Sequence, residues 1–258
     1  MESIFDYPWQ LGVALGVALA LVLELGRRVA VRFRIEHVAH RKEQMGTIRD
    51  GLFLLLSLLL GFTLTLAASR YAERRSLLVE EAVSIGTTYL RTSTLPSPYR
   101  EHSKQLLKEY VDACIELNDA GSDPGQLEKA LLDARRIQME LWSEAAAVSQ
   151  VDRTAITAAY INSLNETIDL HDKRAASQEN RIPVPIWIMI FWVALIAAFS
   201  RGSTLTSRFW LTLILVPITI AVVVALIADL DTPTRGLLRL DQRPFIRLKA
   251  EISGEHGN

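Results

Sequence analysis

The chain has 258 residues, of which 50% are hydrophobic and 22% are charged, and its formal net charge is −1. A balance this close to neutral excludes a nucleic-acid-binding protein that depends on bulk positive charge. The single cysteine, Cys114, excludes an intramolecular disulfide framework and a zinc site built from several cysteines. The first residues lack the basic segment of a signal peptide, so we expect the first hydrophobic run to be retained.

Hydrophobic residues are concentrated in four uncharged runs of 17 to 20 residues, which lie at 7–23, 51–69, 182–200 and 209–228. A helix needs about 20 apolar residues to cross the hydrocarbon core of a bilayer. The sequence therefore predicts an all-α, polytopic membrane protein with four transmembrane helices and a helical insert between the second and the third.

The predicted organisation has four parts. Residues 1–70 hold the first two membrane helices and a basic connecting loop, and residues 71–181 form the extramembrane insert. Residues 182–230 hold the last two membrane helices, and residues 231–258 form a tail. Nine Lys and Arg residues flank the membrane runs on the side of the 26–49 loop and eleven on the other, so the positive-inside rule does not fix the orientation.

Apolar residues recur at the helical period in the insert and predict three helices after a polar continuation of the second membrane helix over 71–92. Asp123 is predicted to cap the second of the three. The three predicted inward stripes are Leu106, Leu107, Tyr110, Val111, Cys114 and Ile115; Leu127, Ala130, Ala134, Ile137, Leu141 and Val148; and Ile156, Tyr160, Leu164 and Ile168.

The first membrane helix carries small residues at every fourth position, namely Gly12, Gly16 and Ala20. Such a stripe lets two helix backbones approach closely, and we expect packing within the chain rather than a dedicated dimer motif. Glu24 lies four residues before Arg28, which predicts an ion pair at the membrane edge.

The second membrane helix carries two parallel stripes with a spacing of four residues. One consists of the small residues Ser57, Gly61 and Thr65, and the other of the apolar residues Leu54, Leu58 and Phe62. In a helix that lines a pore, the first stripe would pack against neighbouring helices and the second would form an apolar constriction. By spacing alone, an ordinary buried transmembrane helix is the better explanation of both stripes.

Acidic residues mark two other candidate sites. Asp229 and Asp231 lie where the fourth membrane helix ends and are either a Ca²⁺ or gating site or solvated helix caps. In the insert, Glu166, Asp169, His171 and Asp172 are predicted to form a salt-bridge network with Lys173 and Arg174. No paired Glu-x-x-His motif, phosphate loop or serine elbow is present in the sequence, so we expect no enzyme and no cofactor.

Several segments resemble the bestrophin anion channels and, more closely, a bacterial bestrophin-like domain family of uncharacterised function. The resemblance covers roughly residues 50–250. The matching segments are Ser57–Arg70, Arg74–Ala82, Ile85–Arg91, Leu95–Pro96, Leu164–His171, Arg181–Pro185 and Ile227–Gly236.

This resemblance implies a homo-oligomer, typically a pentamer, in which the second helix lines a central pore for small inorganic ions such as chloride. It implies Leu54, Leu58 and Phe62 as the constriction, and places the termini and the insert in the cytoplasm beneath a bacterial inner membrane. The acidic cluster that binds Ca²⁺ in animal members is reduced here to Asp229 and Asp231. The alternative is a non-conducting membrane scaffold or sensor whose helical insert docks a partner protein.

Overall fold

The structure is a computed structural model that describes residues 7–32, 39–120, 123–205, 210–232, 237–238 and 240–254. Within these ranges the secondary structure is helical and without strands, as the sequence predicts. The helices are α1 Pro8–Arg32, α2 Ala39–Thr92, α3 Tyr99–Asp119, α4 Pro124–Val151, α5 Ala155–Glu179, α6 Val184–Ser203, α7 Trp210–Asp231 and α8 Arg243–Ser253.

Four helical stretches among the described residues are long and apolar enough to cross a membrane, and each overlaps one of the four predicted hydrophobic runs. The chain is therefore a multi-pass membrane protein. The second membrane helix does not end at the membrane edge, because α2 continues as one helix of 54 residues to Thr92. This confirms the predicted polar continuation over 71–92.

The chain divides into two compact units. The first comprises Met1–Tyr71 and Arg181–Leu238, and thus the membrane helices α1, α6, α7 and the first part of α2. The second comprises Ala72–Asn180 and Arg239–Asn258, and thus the rest of α2 together with α3, α4, α5 and α8. The amphipathic α8 belongs to the second unit because it buries Phe245, Leu248 and Ile252 in that core.

The predicted inward faces of α3 and α4 are confirmed. Leu107, Tyr110 and Cys114 are fully buried on α3, as are Ala134 and Leu141 on α4. The Asp123 side chain caps α4 by accepting bonds from the backbone N–H groups of Gly125 and Gln126. One residue of the α5 stripe is wrongly predicted: Ile156 is 56% exposed, because the buried face of α5 begins at Thr157.

In the first unit, small residues of α1 meet the neighbouring membrane helices. A Cβ on Gly12 would lie 2.8 Å from the Ala225 Cβ, and one on Gly16 would lie 3.3 Å from the Ala221 Cβ. The stripe therefore packs against α7 of the same chain, as predicted. The ion pair at the membrane edge also forms, although Glu24 binds Arg27 at 2.8 Å as well as Arg28 at 3.0 Å.

The closest approach of α1 and α6 involves two reciprocal glycines, which predicts a strong effect of Gly202→Ala. An added Cβ at Gly202 would overlap the Leu23 carbonyl oxygen, and one at Gly26 would overlap the Phe199 carbonyl oxygen. Backbone atoms cannot move aside as flexible side chains do. We expect Gly202→Ala to reduce stability by at least about 1–3 kcal/mol, measured as a lower melting temperature in detergent.

The matched control for this prediction is Gly51→Ala on α2. No atom lies within 4 Å of a Cβ built at Gly51, and alanine is the better helix former. Equal melting temperatures for Gly202→Ala and the parent protein would contradict the close packing of α1 and α6.

Candidate ion-conducting face and buried ionic network

Three apolar side chains project from α2 without a partner surface in the described part of the chain. Leu54 is 71% exposed, Leu58 is 52% exposed and Phe62 is 67% exposed. The opposite face of the same stretch packs into the first unit, where Leu56, Leu60 and Ala67 are buried. The apolar stripe recognised in the sequence is therefore one coherent surface of α2.

The small-residue stripe of α2 is exposed as well. The Ser57 Oγ donates to the Leu54 carbonyl at 2.8 Å, and the Thr65 Oγ1 donates to the Gly61 carbonyl at 3.0 Å. These bonds stay within α2, and a Cβ on Gly61 would meet no atom within 4 Å. The role of this stripe in packing against a neighbouring helix remains a prediction.

Beyond the membrane, α2 has one buried face and one exposed face. Leu78, Glu81 and Ile85 are buried in the core of the second unit. The exposed face is mixed: it carries the polar side chains Glu73, Arg75, Ser76, Glu80 and Thr87 and the apolar side chains Val79, Val83 and Leu90.

The buried face of α2 carries a carboxylate, Glu81, which is fully shielded from solvent and lies between two basic side chains of α5. The His171 Nδ1 lies 2.9 Å from the Glu81 Oε1. The Arg174 Nε lies 2.6 Å from the Glu81 Oε2. A buried carboxylate is tolerated only with such compensation, so this pairing fixes α5 against α2.

Helices α3 and α4 complete this buried network. The Tyr110 hydroxyl lies 3.4 Å from the Glu81 Oε1, and the Cys114 Sγ lies 3.7 Å from the same oxygen. The Gln138 Nε2 of α4 donates to the Tyr110 hydroxyl at 2.9 Å. The Glu81 carboxylate of α2 therefore contacts side chains of α3 and α5 directly. It is connected to α4 through the Tyr110 hydroxyl.

Cys114 and Tyr110, two buried titratable groups of α3, remain protonated in this environment. Burial, together with the nearby negative charge of Glu81, raises the pKa of the Cys114 thiol well above its ordinary value. Burial also raises the pKa of the Tyr110 hydroxyl well above its ordinary value, with further contributions from Cys114 and Glu81. Both groups can therefore donate protons toward the Glu81 carboxylate.

Glu81, Cys114 and His171 also place three potential metal-ligating atoms within 4.8 Å of one another. Thiolate, imidazole and carboxylate are the ligands that zinc prefers. The Arg174 guanidinium already balances the carboxylate charge, however, and a bound dication would have to displace the thiol proton beside that guanidinium. The donor set therefore fits a charge-compensated hydrogen-bond network better than a metal centre.

The predicted local network on α5 is wrong. His171 and Arg174 point inward to Glu81, whereas Glu166, Asp172 and Lys173 are exposed. The misleading signal was the density of charge along the sequence. The helical period would have indicated the buried side chains. His171 follows Leu164 by seven positions and Arg174 follows His171 by three, so all three lie on the buried face of α5.

Asp229 and Asp231 lie in the last turn of α7 and are buried rather than solvated, which corrects one of the two predicted alternatives. The Asp231 carboxylate accepts the Ile182 N–H at 3.0 and 3.1 Å and lies 3.9 Å from the Arg70 guanidinium. The Asp229 carboxylate accepts the N–H groups of Leu237 and Leu238 at 2.9 and 3.0 Å. A cation would have to displace these donors, so this arrangement does not fit Ca²⁺.

The geometry defines a class of protein: a multi-pass membrane protein whose second membrane helix runs on into an extramembrane helical unit. The Bestrophin-like domain family matches residues 12–245 of this chain. The chain therefore belongs to the bestrophin-like family, as its sequence motifs predicted. Residues 233–236 of one such motif lie outside the described residues.

Solved structures share this fold. A bacterial bestrophin homolog from Klebsiella pneumoniae has a TM-score of 0.67 at 15% identity, covering 93% of this chain and 99% of the other. A variant of that homolog has a TM-score of 0.69 at 14% identity, covering 94% and 98%. At this identity the likeness shows the fold alone. No curated protein matches the sequence.

Proposed function

We propose that this protein is the subunit of an oligomeric ion channel whose conducting pathway is lined by α2. The observation that carries the proposal is the exposed stripe of Leu54, Leu58 and Phe62 on a helix whose opposite face is buried. Membership of the bestrophin-like family supports the same function.

The neighbouring small-residue stripe supports assembly. Ser57, Gly61 and Thr65 lie about 60° around the helix from the apolar stripe, given 100° per residue. Small residues permit close helix approach in membranes, so a second copy can pack against this side of α2. The apolar stripes of several copies then face a common axis, where apolar rings gate a pore by dewetting.

The finer features of the proposal come from the family resemblance. It implies five copies, chloride as the conducted ion, a bacterial inner membrane, and cytoplasmic termini and insert. The apolar constriction itself does not select an ion by charge. The identity of the ion therefore depends on charged groups elsewhere along the pathway.

Single-channel recording of the purified oligomer in a planar bilayer tests the proposal. Under an asymmetric KCl gradient, we expect unitary currents from the parent protein. A reversal potential near the chloride equilibrium value identifies an anion channel, and one near the potassium value identifies a cation channel. Silence from a protein shown to be folded and assembled would refute conduction.

The alternative function is a membrane scaffold whose second unit docks a partner protein, and one surface favours it. Leu132, Met139 and Trp142 of α4 are 65%, 62% and 45% exposed. Exposed apolar side chains on one helix are typical of a docking surface. Co-purification of one stoichiometric partner from native membranes, together with the absence of ion flux, would support the scaffold.

A further inference from the structure

The charges on α2 beyond the apolar stripe allow an inference about ion selection, which rests on the proposed channel function. Since α2 is one uninterrupted helix, its residues turn by 100° per position along its whole length. Glu80 follows Phe62 by 18 positions, or five full turns, and so returns to the same angle. Glu73 follows Phe62 by 11 positions and lies about 20° from that angle.

Both glutamates are exposed, and hydroxyl side chains occupy the neighbouring positions on this face. Ser69, Ser76 and Thr87 are exposed within about 40° of the Phe62 direction. The Ser76 Oγ donates to the Glu80 Oε1 at 2.7 Å and so orients that carboxylate. From Phe62 to Thr87, the ionisable side chains within about 40° of the Phe62 direction are therefore the two carboxylates, and the exposed neutral side chains in that sector are the three hydroxyls.

The basic residues of the same stretch of α2 are directed elsewhere. Arg70 lies about 80° from the Phe62 direction, by the helical rotation per residue, and its guanidinium pairs with Asp231. Arg74 is buried, and Arg75 lies about 140° away. Arg91 returns to the face only at the end of α2, where its guanidinium donates to the Ala159 carbonyl of α5 at 2.7 Å.

We infer that Glu73 and Glu80 form two successive carboxylate rings on the extramembrane side of the constriction, and that these rings make the channel favour cations over chloride. With a rise of 1.5 Å per residue, the rings lie about 16 Å and about 27 Å beyond Phe62 along α2. Rings of carboxylates are the usual lining of cation-selective pores. The inference runs against the chloride expectation that the family resemblance carries.

The physical effect of the rings is to concentrate cations at the mouth of the pathway. Each added copy contributes one carboxylate to each ring, so the negative potential grows with the size of the oligomer. This potential extends about one Debye length, roughly 8–10 Å at physiological salt. Exclusion of chloride and enrichment of potassium therefore occur before an ion reaches the apolar constriction.

The test is the cation-to-chloride permeability ratio, measured from the reversal potential of single-channel currents in a KCl gradient. We expect a ratio well above one for the parent protein and a severalfold decrease for the double variant Glu73→Gln/Glu80→Gln. The controls are Arg75→Gln, which removes a charge on the other side of α2, and Glu128→Gln on the exposed side of α4. Both controls should keep the parent ratio.

A second measurement needs no variant. Salt screens surface charge, with a Debye length of about 30 Å at 0.01 M and about 3 Å at 1 M. The permeability ratio of the parent protein should therefore fall as the mean KCl concentration is raised across this range. A ratio that does not change with salt would overturn the inference.

The possible failures are distinguishable. A parent channel that reverses at the chloride potential, or a conducting double variant with an unchanged ratio, overturns the carboxylate rings and leaves the channel in place. The absence of current from the folded and assembled parent protein overturns both the rings and the channel.

Discussion

Glu81→Gln should destabilise the second unit severely. Removal of one partner from a buried ion pair leaves an uncompensated charge, here that of Arg174, which is 2% exposed. Such losses cost about 3–5 kcal/mol, which lowers the melting temperature of a domain of this size by roughly 10 °C or more. Thermal unfolding in detergent, followed by circular dichroism, measures the effect.

The adjacent residue provides the matched control, since Glu80 is exposed and Glu81 is not. Glu80→Gln should change stability by no more than about 0.5 kcal/mol. Cys114 supplies a second readout, because a buried thiol with a raised pKa reacts slowly with a maleimide. Its labelling should be faster in Glu81→Gln than in Glu80→Gln.

A double variant separates loss of charge balance from general damage to the core. Replacing both members of a buried ion pair with apolar residues of similar size is often nearly neutral. Glu81→Leu/Arg174→Met should therefore be more stable than Glu81→Leu alone. The second single variant is Arg174→Met. If the double variant loses as much stability as the two single variants together, the Glu81–Arg174 contact contributes nothing to stability.

Phe62→Ala should raise single-channel conductance by about twofold or more, because a smaller side chain widens and wets an apolar constriction. The side chain is 67% exposed in the single chain, so its removal leaves no cavity within the protomer. Assembly and melting temperature should therefore stay close to those of the parent protein. Conductance measured by single-channel recording tests the constriction.

Phe199→Ala is the control for an aromatic residue elsewhere in the membrane unit. Phe199 lies on α6 and is 36% exposed, and no role in the pathway is proposed for its side chain. Its replacement should leave conductance unchanged. If Phe62→Ala and Phe199→Ala both give the parent conductance, the constriction does not lie at Phe62.

The membrane helices could be predicted from the sequence because bilayer thickness imposes a length and a composition on each span. The Glu24 ion pair depends on residues three and four positions away along one helix. The packing of Gly12 and Gly16 follows from the general rule that small residues let membrane helices approach closely. The inward faces of α3 and α4 followed from the 3.6-residue period. The family motifs supplied the assignment to bestrophin-like proteins.

Other features depend on residues that are far apart in the sequence. Glu81 and His171 are separated by 90 positions, and nothing in the local pattern of either segment indicates the other. Local charge density instead suggested a network among Glu166, Asp169 and their neighbours. The tertiary structure selects Glu81 because a buried charge requires compensation, whereas exposed charges are satisfied by water.

The same distinction applies at the end of α7. The sequence placed Asp229 and Asp231 where a membrane helix ends, and left a metal site and solvated caps as alternatives. Only the tertiary structure brings the N–H groups of Ile182, Leu237 and Leu238 to these carboxylates. The buried face of a helix can be predicted from the spacing of neighbouring residues. The partner of a buried polar group depends instead on which distant segments the folded chain brings together.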